Sequence, residues 1–275
     1  MSLALVRSRT CRYAVLAAAL ALAAALPGLG QEDAQEGVGA PPQMILVHEE
    51  KVKPPMLDEY VDRSKEFFAM VQANRDVMPT FAAEGFQTDQ YEFVFALPLS
   101  GFAQMDTLMG EFMAMAEKGG AAFRETMKAG AETTTHFDEY VILYRTDLSH
   151  HPAEPRVPMV EATVYRWDFY YLQPDMEMEA EQIARDVAAL YREKEILDAY
   201  GVFQAVLGSD MPFLVVSVPG RSVADIETRL AEIATTLGDA WPPIQARIHA
   251  ATRDFVSKYA WARPDLSLAA PTPEE

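Results

Sequence analysis

The chain of 275 residues carries 41 acidic and 23 basic side chains, which gives a formal net charge of −18 at pH 7. Half of the residues are hydrophobic and 23% are charged, a composition that is typical of folded proteins and excludes global disorder. The acidic excess disfavours nucleic acids and anionic membranes as partners, because their phosphates would be repelled. The single cysteine excludes a disulfide framework within the chain.

The first 30 residues have the three parts of a secretory signal peptide. Basic residues come first, an apolar run over residues 13–26 follows, and small residues near position 30 end it. The apolar run is shorter than the roughly 20 residues that a membrane-spanning helix needs. We therefore expect cleavage after residues 1–30, export to the periplasm or the exterior, and no membrane anchor on the mature protein. Residues 31–43 are predicted to be a disordered leader.

Residues 44–149 are predicted to form one unit with four strands and two long helices. Apolar residues alternate in the strands and recur every three to four positions in the helices. In chain order, the strand, helix, hairpin, helix and strand are predicted at residues 44–52, 56–78, 80–87 with 91–97, 103–118 and 138–145. Gly119 and Gly120 are expected to break the second helix, and a short helix is expected after them.

A second unit over residues 162–267 repeats this order. Its strands and helices are predicted at residues 163–172, 176–197, 202–207, 213–218, 222–237, 241 onward and 257–263. Ser222 and Asp225 are expected to cap its second helix. A proline-rich linker over residues 150–161 joins the units and is expected to be exposed, whereas residues 268–275 are expected to form a loose, disordered tail.

Sequence matches between the units indicate an internal duplication. The sequence R-T-D-L-S at residues 145–149 returns as R-P-D-L-S at residues 263–267, an offset of 118 residues. The order β-α-β-β-α-β in each copy predicts an α+β fold of two tandem ferredoxin-like units. Each unit leaves one sheet face bare, so we expect the two sheets to cover each other within one chain and the protein to be a monomer.

An aromatic final strand that runs into R-x-D-L-S, together with this architecture, resembles the dimeric α/β-barrel superfamily, and within it the NIPSNAP and EthD-like branches in tandem form. The resemblance covers residues 44–267. It implies a barrel in which two sheets pack face to face. The superfamily includes cofactor-free monooxygenases, haem enzymes, isomerases and proteins without known activity, so the resemblance implies a fold and no particular reaction.

The opening strand of the second unit suggests a polar cluster. Alternation places two sets of residues on opposite faces: Tyr165, Trp167, Phe169 and Tyr171 on one, and Val164, Arg166, Asp168 and Tyr170 on the other. We expect the aromatic face to pack under the helices, which directs the second set into the space between the sheets. At the offset of 118 residues, His48 aligns with Arg166 and Glu50 with Asp168. Glu92, on the third strand, lies in this cluster or at the rim of the barrel.

Two interpretations of the cluster stay open. In the functional one, His48 is a proton acceptor, Arg166 holds an anion or enolate, and Glu50, Glu92, Asp168 and Tyr170 contact the ligand. In the structural one, the same groups form satisfied ion pairs that bridge the sheets. His136 and His249 are the candidates for a haem ligand, but no spacing singles either out. We therefore predict no cofactor and no metal site.

The leading hypothesis is an exported protein that binds a small apolar or aromatic molecule in the cavity between the two sheets. One alternative is a cofactor-independent monooxygenase or isomerase that uses His48 and Arg166. A second alternative is an envelope interaction module without a ligand. No catalytic triad, phosphate-binding glycine loop or metal-binding motif is present in the sequence to decide between them.

Overall fold

The computed structural model describes residues 43–269. The predicted signal peptide and nearly all of the predicted leader and tail lie outside the described residues. Two halves follow one another in the described part. The first comprises β1 (Met44–Val52), α1 (Leu57–Ala73), β2 (Glu84–Thr88), β3 (Glu92–Leu99), α2 (Ala103–Thr133) and β4 (Thr134–Tyr144). The second comprises β5 (Val164–Leu172), α3 (Glu177–Glu193), β6 (Gly201–Leu207), β7 (Phe213–Gly220), α4 (Val223–Leu237), α5 (Trp241–Ala251) and β8 (Thr252–Ala262).

The predicted order of strands and helices is confirmed, with changes at helix ends. α1 ends at Ala73, several residues before the predicted end. The expected break at Gly119 and Gly120 is found: the backbone of Gly120 is not helical, with φ of 53°, and the two helical parts of α2 meet at a kink there. Gly238 ends α4 in nearly the same conformation, with φ of 55°. Both positions need the left-handed region that glycine adopts without strain, so the same glycine turn occurs in each half. The predicted cap is also confirmed, because the Ser222 side chain accepts a hydrogen bond from the Asp225 amide.

All eight strands form one closed antiparallel barrel in the order β1-β3-β2-β8-β5-β7-β6-β4. The first half contributes the sheet β4-β1-β3-β2 and the second the sheet β8-β5-β7-β6. The two sheets are joined at both edges: Phe86 of β2 pairs with Ala262 of β8, and Tyr144 of β4 pairs with Phe203 of β6. Closure leaves the sheet without an open edge that could add another strand.

Aromatic side chains from both halves fill the inside of the barrel. The ring of Phe86 lies 5.8 Å from that of Tyr165 and 5.2 Å from that of Trp167, measured between centroids. Tyr140 and Phe213 make a similar contact across the other edge, at 5.4 Å. These rings are in edge-on or T-shaped arrangements, which are favourable for aromatic pairs.

The prediction that the aromatic face of β5 packs under the helices is therefore wrong. Tyr165, Trp167 and Phe169 face the other sheet, and Arg166 and Asp168 face the helices. The reason is the difference between the two environments. The barrel interior is closed by strands all round and needs large apolar side chains, whereas a long arginine beside a helix can keep its charged end near water.

The segment between the halves and the start of the tail are also more ordered than predicted. In the linker, the His150 backbone pairs with Tyr200 and the His150 side chain is buried. Arg156 forms ion pairs with Asp198 at 2.5 Å and Asp225 at 2.7 Å. Leu268, the first residue of the predicted tail, pairs with the backbone of Ala83. Only two short stretches, near residues 151–154 and at residues 159–161, carry the exposure that was expected of the linker.

Because the barrel interior is shared, Phe86→Ala and Trp167→Ala should each lower the free energy of unfolding by about 3–5 kcal/mol. The double variant should lose less than the sum, by about 0.5–1.5 kcal/mol, because the two rings contact each other. Urea unfolding followed by circular dichroism measures both effects. Phe123 of α2 is a buried ring with no aromatic contact to either residue, so Phe86→Ala with Phe123→Ala should be additive. Additivity in the first pair would contradict a direct contact between the halves.

Candidate functional site

Two cavities lie outside the barrel, one in each half, between the sheet and its helices. The larger cavity has a volume of about 300 Å³ and is enclosed by β5, β7 and the helices α3, α4 and α5. The smaller cavity has about 60 Å³ and is enclosed by β1, β3, α1 and the second part of α2. The inter-sheet site that the sequence predicted is thus replaced by two sheet–helix sites.

The two cavities are equivalent positions in the two halves. β1 and β5 have the same length and are offset by 120 residues, as are α1 and α3. At this offset, three bulky residues of the first half are equivalent to smaller residues of the second. The equivalent pairs are Tyr60 and Ala180, Phe67 and Val187, and Phe68 and Ala188. β3 and β7 are equivalent at an offset of 121 residues, and there Phe95 of the first half is equivalent to the smaller Val216 of the second. Aromatic rings therefore fill most of the first-half position, and their absence opens the larger cavity in the second.

The same offset corrects the predicted alignment of the polar residues. His48 is equivalent to Asp168, not to Arg166, and Glu50 is equivalent to Tyr170. Arg166 takes the place of Leu46. The offset of 118 residues taken from the R-x-D-L-S sequences holds for β4 and β8, but the connections between elements differ in length, so it does not hold for the opening strands.

In the smaller cavity, His48 lies between two carboxylates. Its Nδ1 is 3.0 Å from Glu139 Oε1, and its Nε2 is 3.3 Å from Glu50 Oε1, outside good hydrogen-bonding geometry. The Tyr60 hydroxyl donates to Glu50 from α1. The ring of Phe137 stacks on the imidazole at 5.7 Å. Glu139, Glu50 and Tyr60 thus form a continuous polar chain through His48.

This environment keeps His48 protonated near neutral pH. Burial lowers its pKa, but the hydrogen bond to Glu139 and the negative charges of Glu139 and Glu50 outweigh burial and raise the pKa to about 9. Burial also raises the pKa of Glu50, but His48 and the Tyr60 hydroxyl outweigh it, so the pKa of Glu50 is lowered. A histidine in this state donates a proton more readily than it accepts one, the reverse of the role assigned to it from the sequence.

The polar groups of the larger cavity come from β5. Arg166 Nε is 2.9 Å from Asp168 Oδ1, and its Nη1 is 2.6 Å from Glu227 Oε1. The Ser257 hydroxyl donates to Asp168 at 2.6 Å. Tyr170 lies beside them, and burial raises the pKa of its hydroxyl. Most of the remaining wall is apolar, with Ile183, Val187, Leu230, Ile233 and Leu237 from the helices.

The predicted site residues consequently separate into three places. Arg166, Asp168 and Tyr170 line the larger cavity, and His48 and Glu50 line the smaller one. Glu92 lines neither cavity. His48 and Arg166 therefore do not form one catalytic pair.

Glu92 belongs to a buried charged cluster at one end of the barrel interior. Lys258 Nζ is 2.6 Å from Glu49 Oε1 and 2.8 Å from Glu92 Oε2. Burial lowers the pKa of Lys258, but the two carboxylates outweigh it and raise the pKa. Sequence reasoning missed Lys258 and Glu49. The same alternation that places His48 and Glu50 on one face of β1 places Glu49 on the opposite face. This alternation was the signal in the sequence from which Glu49 could have been predicted to face the barrel interior.

Sequence reasoning also missed Tyr200, which precedes β6 and lines the larger cavity. The side chain is 6% exposed, and its hydroxyl has no hydrogen-bond partner among residues 43–269. Its ring contacts that of Tyr191 edge-on, with centroids 5.2 Å apart. A buried hydroxyl without a partner is uncommon in folded proteins.

Neither cavity suits a haem or a metal ion. His48 is the histidine that lines a cavity, and the volume in front of it is far smaller than a porphyrin. The other haem candidates, His136 and His249, are exposed and line neither cavity. Within the described part of the chain, no group of three His, Cys, Asp or Glu side chains could hold a metal ion.

Solved structures share this fold. No family model and no curated protein matches the chain. An anthrone oxidase-like protein is 11% identical, with a TM-score of 0.57, over 84% of this chain and 94% of that one. A putative monooxygenase from Lactobacillus acidophilus NCFM is 6% identical, with a TM-score of 0.47, over 83% and 97%. A mutant chlorite dismutase from Candidatus Nitrospira defluvii is 9% identical, with a TM-score of 0.47, over 81% and 92%.

The chain has the dimeric α/β-barrel fold. This confirms the fold that the resemblance implies, while membership of the superfamily and of its NIPSNAP and EthD-like branches stays a prediction. At 11% identity the similarity shows the fold and carries no activity. Across residues 43–269, no helix is long and apolar enough to cross a membrane.

The raised pKa of His48 predicts a specific pH dependence of stability. The folded state holds the proton up to about pH 9, against 6.5 for an ordinary histidine. The stabilisation is therefore fully present below pH 6.5 and lost as the pH rises through 9. The difference in unfolding free energy between the wild type and His48→Gln should fall by up to about 3 kcal/mol over this range.

Urea unfolding at a series of pH values measures this difference. His136→Gln is the control, because His136 is an exposed histidine in the same half. Its difference from the wild type should change little over the same range. A difference for His48→Gln that does not vary with pH would show that the imidazole is not held as a cation.

Proposed function

We propose that this protein binds a small apolar or aromatic molecule in the larger cavity. The observation that carries the proposal is the comparison between the halves. The same position is filled by Tyr60, Phe67 and Phe68 in the first half and left open beside Ala180 and Val187 in the second. The volume of about 300 Å³ lies at the lower end of the range for small-molecule sites.

The position of the helices supports this proposal. In the first half, α1 packs directly against α2, whereas in the second, α3 packs mainly against α5. The wall between α3 and α4 includes side chains that are not fully buried: Ala184 and Leu230 are partly buried, and Ala234 is exposed. A gap between α3 and α4 would let a ligand enter without opening the barrel.

We also infer that the two halves are tandem ferredoxin-like units that arose by duplication. Their sheets have equivalent orders, β4-β1-β3-β2 and β8-β5-β7-β6, and both carry the same glycine turn after a long helix. On this view the mature protein is a monomer, because the second sheet of the barrel comes from the same chain. Its export is proposed from the signal peptide that the sequence predicts. One half then supplies a well-packed scaffold and the other a binding site.

The alternative function, an enzyme, would need catalytic residues other than His48 and Arg166 acting together in one site. His48 and Arg166 face different cavities, and Arg166 is already paired with Asp168 and Glu227. The geometry therefore supports ligand binding in the larger cavity better than a reaction catalysed by His48 and Arg166 together. Oxidation in a protein of the same fold is a property of the anthrone oxidase-like neighbour.

Filling the larger cavity should abolish binding and preserve the fold. Val187→Phe and Val216→Phe each introduce the residue found at the equivalent position of the first half. N-phenyl-1-naphthylamine is a suitable neutral probe, because its fluorescence rises in apolar surroundings. The wild type should bind it saturably, and each variant should bind it at least about tenfold more weakly, because the added ring occupies the same volume.

Val160→Phe is the matched control, since Val160 is 90% exposed and does not line the cavity. It should bind the probe like the wild type. Thermal unfolding verifies that each variant is folded, and native mass spectrometry of the purified wild type tests for a retained small molecule. Unchanged probe affinity in folded Val187→Phe and Val216→Phe would contradict binding in the larger cavity.

A further inference from the structure

The larger cavity has one polar end. Tyr200 precedes Gly201, which pairs with Ser217 of β7, and Ser217 pairs with Trp167 of β5. Tyr200 therefore lies level with Arg166 and Asp168, the neighbours of Trp167. Further along β5, the wall becomes apolar at Leu172, where Ile248 and Ala251 of α5 join it. The cavity thus separates hydrogen-bonding groups from hydrophobic ones along its length.

The arginine at the polar end is already paired with carboxylates. Arg166 contacts two carboxylates, Asp168 at 2.9 Å and Glu227 at 2.6 Å, so the local sum is one negative charge. A ligand carboxylate placed there would be repelled and would lose its hydration. The site therefore disfavours fatty acids and other organic anions, although it contains an arginine.

Tyr200 is the group that is left for a ligand. Tyr200 lines the cavity, and its hydroxyl is buried and has no partner in the described part of the chain. Burial raises the pKa of this hydroxyl, so it is neutral and able both to donate and to accept one hydrogen bond. A ligand oxygen would satisfy a polar group that the protein itself leaves unpaired.

We propose that the ligand is a neutral, largely apolar molecule with a hydroxyl or carbonyl oxygen, and that this oxygen hydrogen-bonds to the Tyr200 hydroxyl. The proposal rests on the proposed function, because it assumes that the larger cavity is the binding site. It adds a specificity: phenols, alcohols and ketones of bicyclic size are favoured over hydrocarbons of the same shape and over carboxylates.

Three probes of similar shape separate these classes: 2-naphthol, 2-methylnaphthalene and 2-naphthoate. Isothermal titration of the wild type should show 2-naphthol binding about threefold to tenfold more tightly than 2-methylnaphthalene, the range expected for one hydrogen bond. Binding of 2-naphthoate should be at least about tenfold weaker than that of 2-naphthol, because of the negative charge. Equal affinity for 2-naphthol and 2-methylnaphthalene, or a preference for 2-naphthoate, would overturn the proposal.

Tyr200→Phe tests the residue itself. It removes one unpaired hydroxyl, and we expect it to fold. The preference for 2-naphthol should disappear, whereas the affinity for 2-methylnaphthalene should stay within about twofold of the wild-type value. Tyr165→Phe is the control, because Tyr165 is an equally buried tyrosine inside the barrel, and it should keep the preference.

The outcomes distinguish this inference from the proposed function. If 2-methylnaphthalene binds to the wild type and Tyr200→Phe leaves the preference for 2-naphthol intact, the cavity binds ligands but the role of Tyr200 is wrong. If no probe binds to the wild type, the proposed function itself is wrong, and this inference fails with it. If Tyr200→Phe does not fold, the order of the three affinities in the wild type still decides the class of ligand.

Discussion

Aromatic packing between the two halves is the contact on which the rest of this structure depends. Phe86 of the first half lies against Tyr165 and Trp167 of the second, and Tyr140 lies against Phe213 at the other edge. These rings remove a large apolar area from water and hold the two sheets together while strand pairing closes the barrel. With its interior filled in this way, the barrel acts as a scaffold, and the two cavities lie between the sheets and the helices.

The two halves differ in whether such a space is left. Each sheet–helix layer is covered by helices of its own half, so substitutions there do not disturb the shared interior. In the first half, Tyr60 and Phe68 fill the layer. In the second, Ala180 and Ala188 occupy the equivalent positions, and the larger cavity results. The first half can therefore maintain stability while the second carries a site whose packing is incomplete.

Several buried or partly buried cationic side chains are each held by two carboxylates rather than left available. His48 is placed between Glu50 and Glu139, Lys258 between Glu49 and Glu92, and Arg166 between Asp168 and Glu227. Such sets are expensive to bury and strongly destabilising to break, so they fix the geometry of the strands that carry them. The ion pairing of the structural interpretation is therefore found, whereas ligand contact by these groups stays a prediction. The groups exist and are ion-paired, but they belong to three separate places.

The sequence by itself determined the α+β class, the order of the strands and helices, and which side chains share a face of each strand. Alternation put Arg166 with Asp168, and His48 with Glu50, on common faces. It could not decide which face points into the barrel, because aromatic residues are suited both to a barrel interior and to a layer under helices. Nor could the R-x-D-L-S repeat align the opening strands, since the connections differ in length and shift the offset from 118 to 120 residues. The larger cavity depends on side chains from β5, β7, α3, α4 and α5. Only the tertiary structure decides whether such distant side chains leave a space between them, because the space depends on how their volumes fit together.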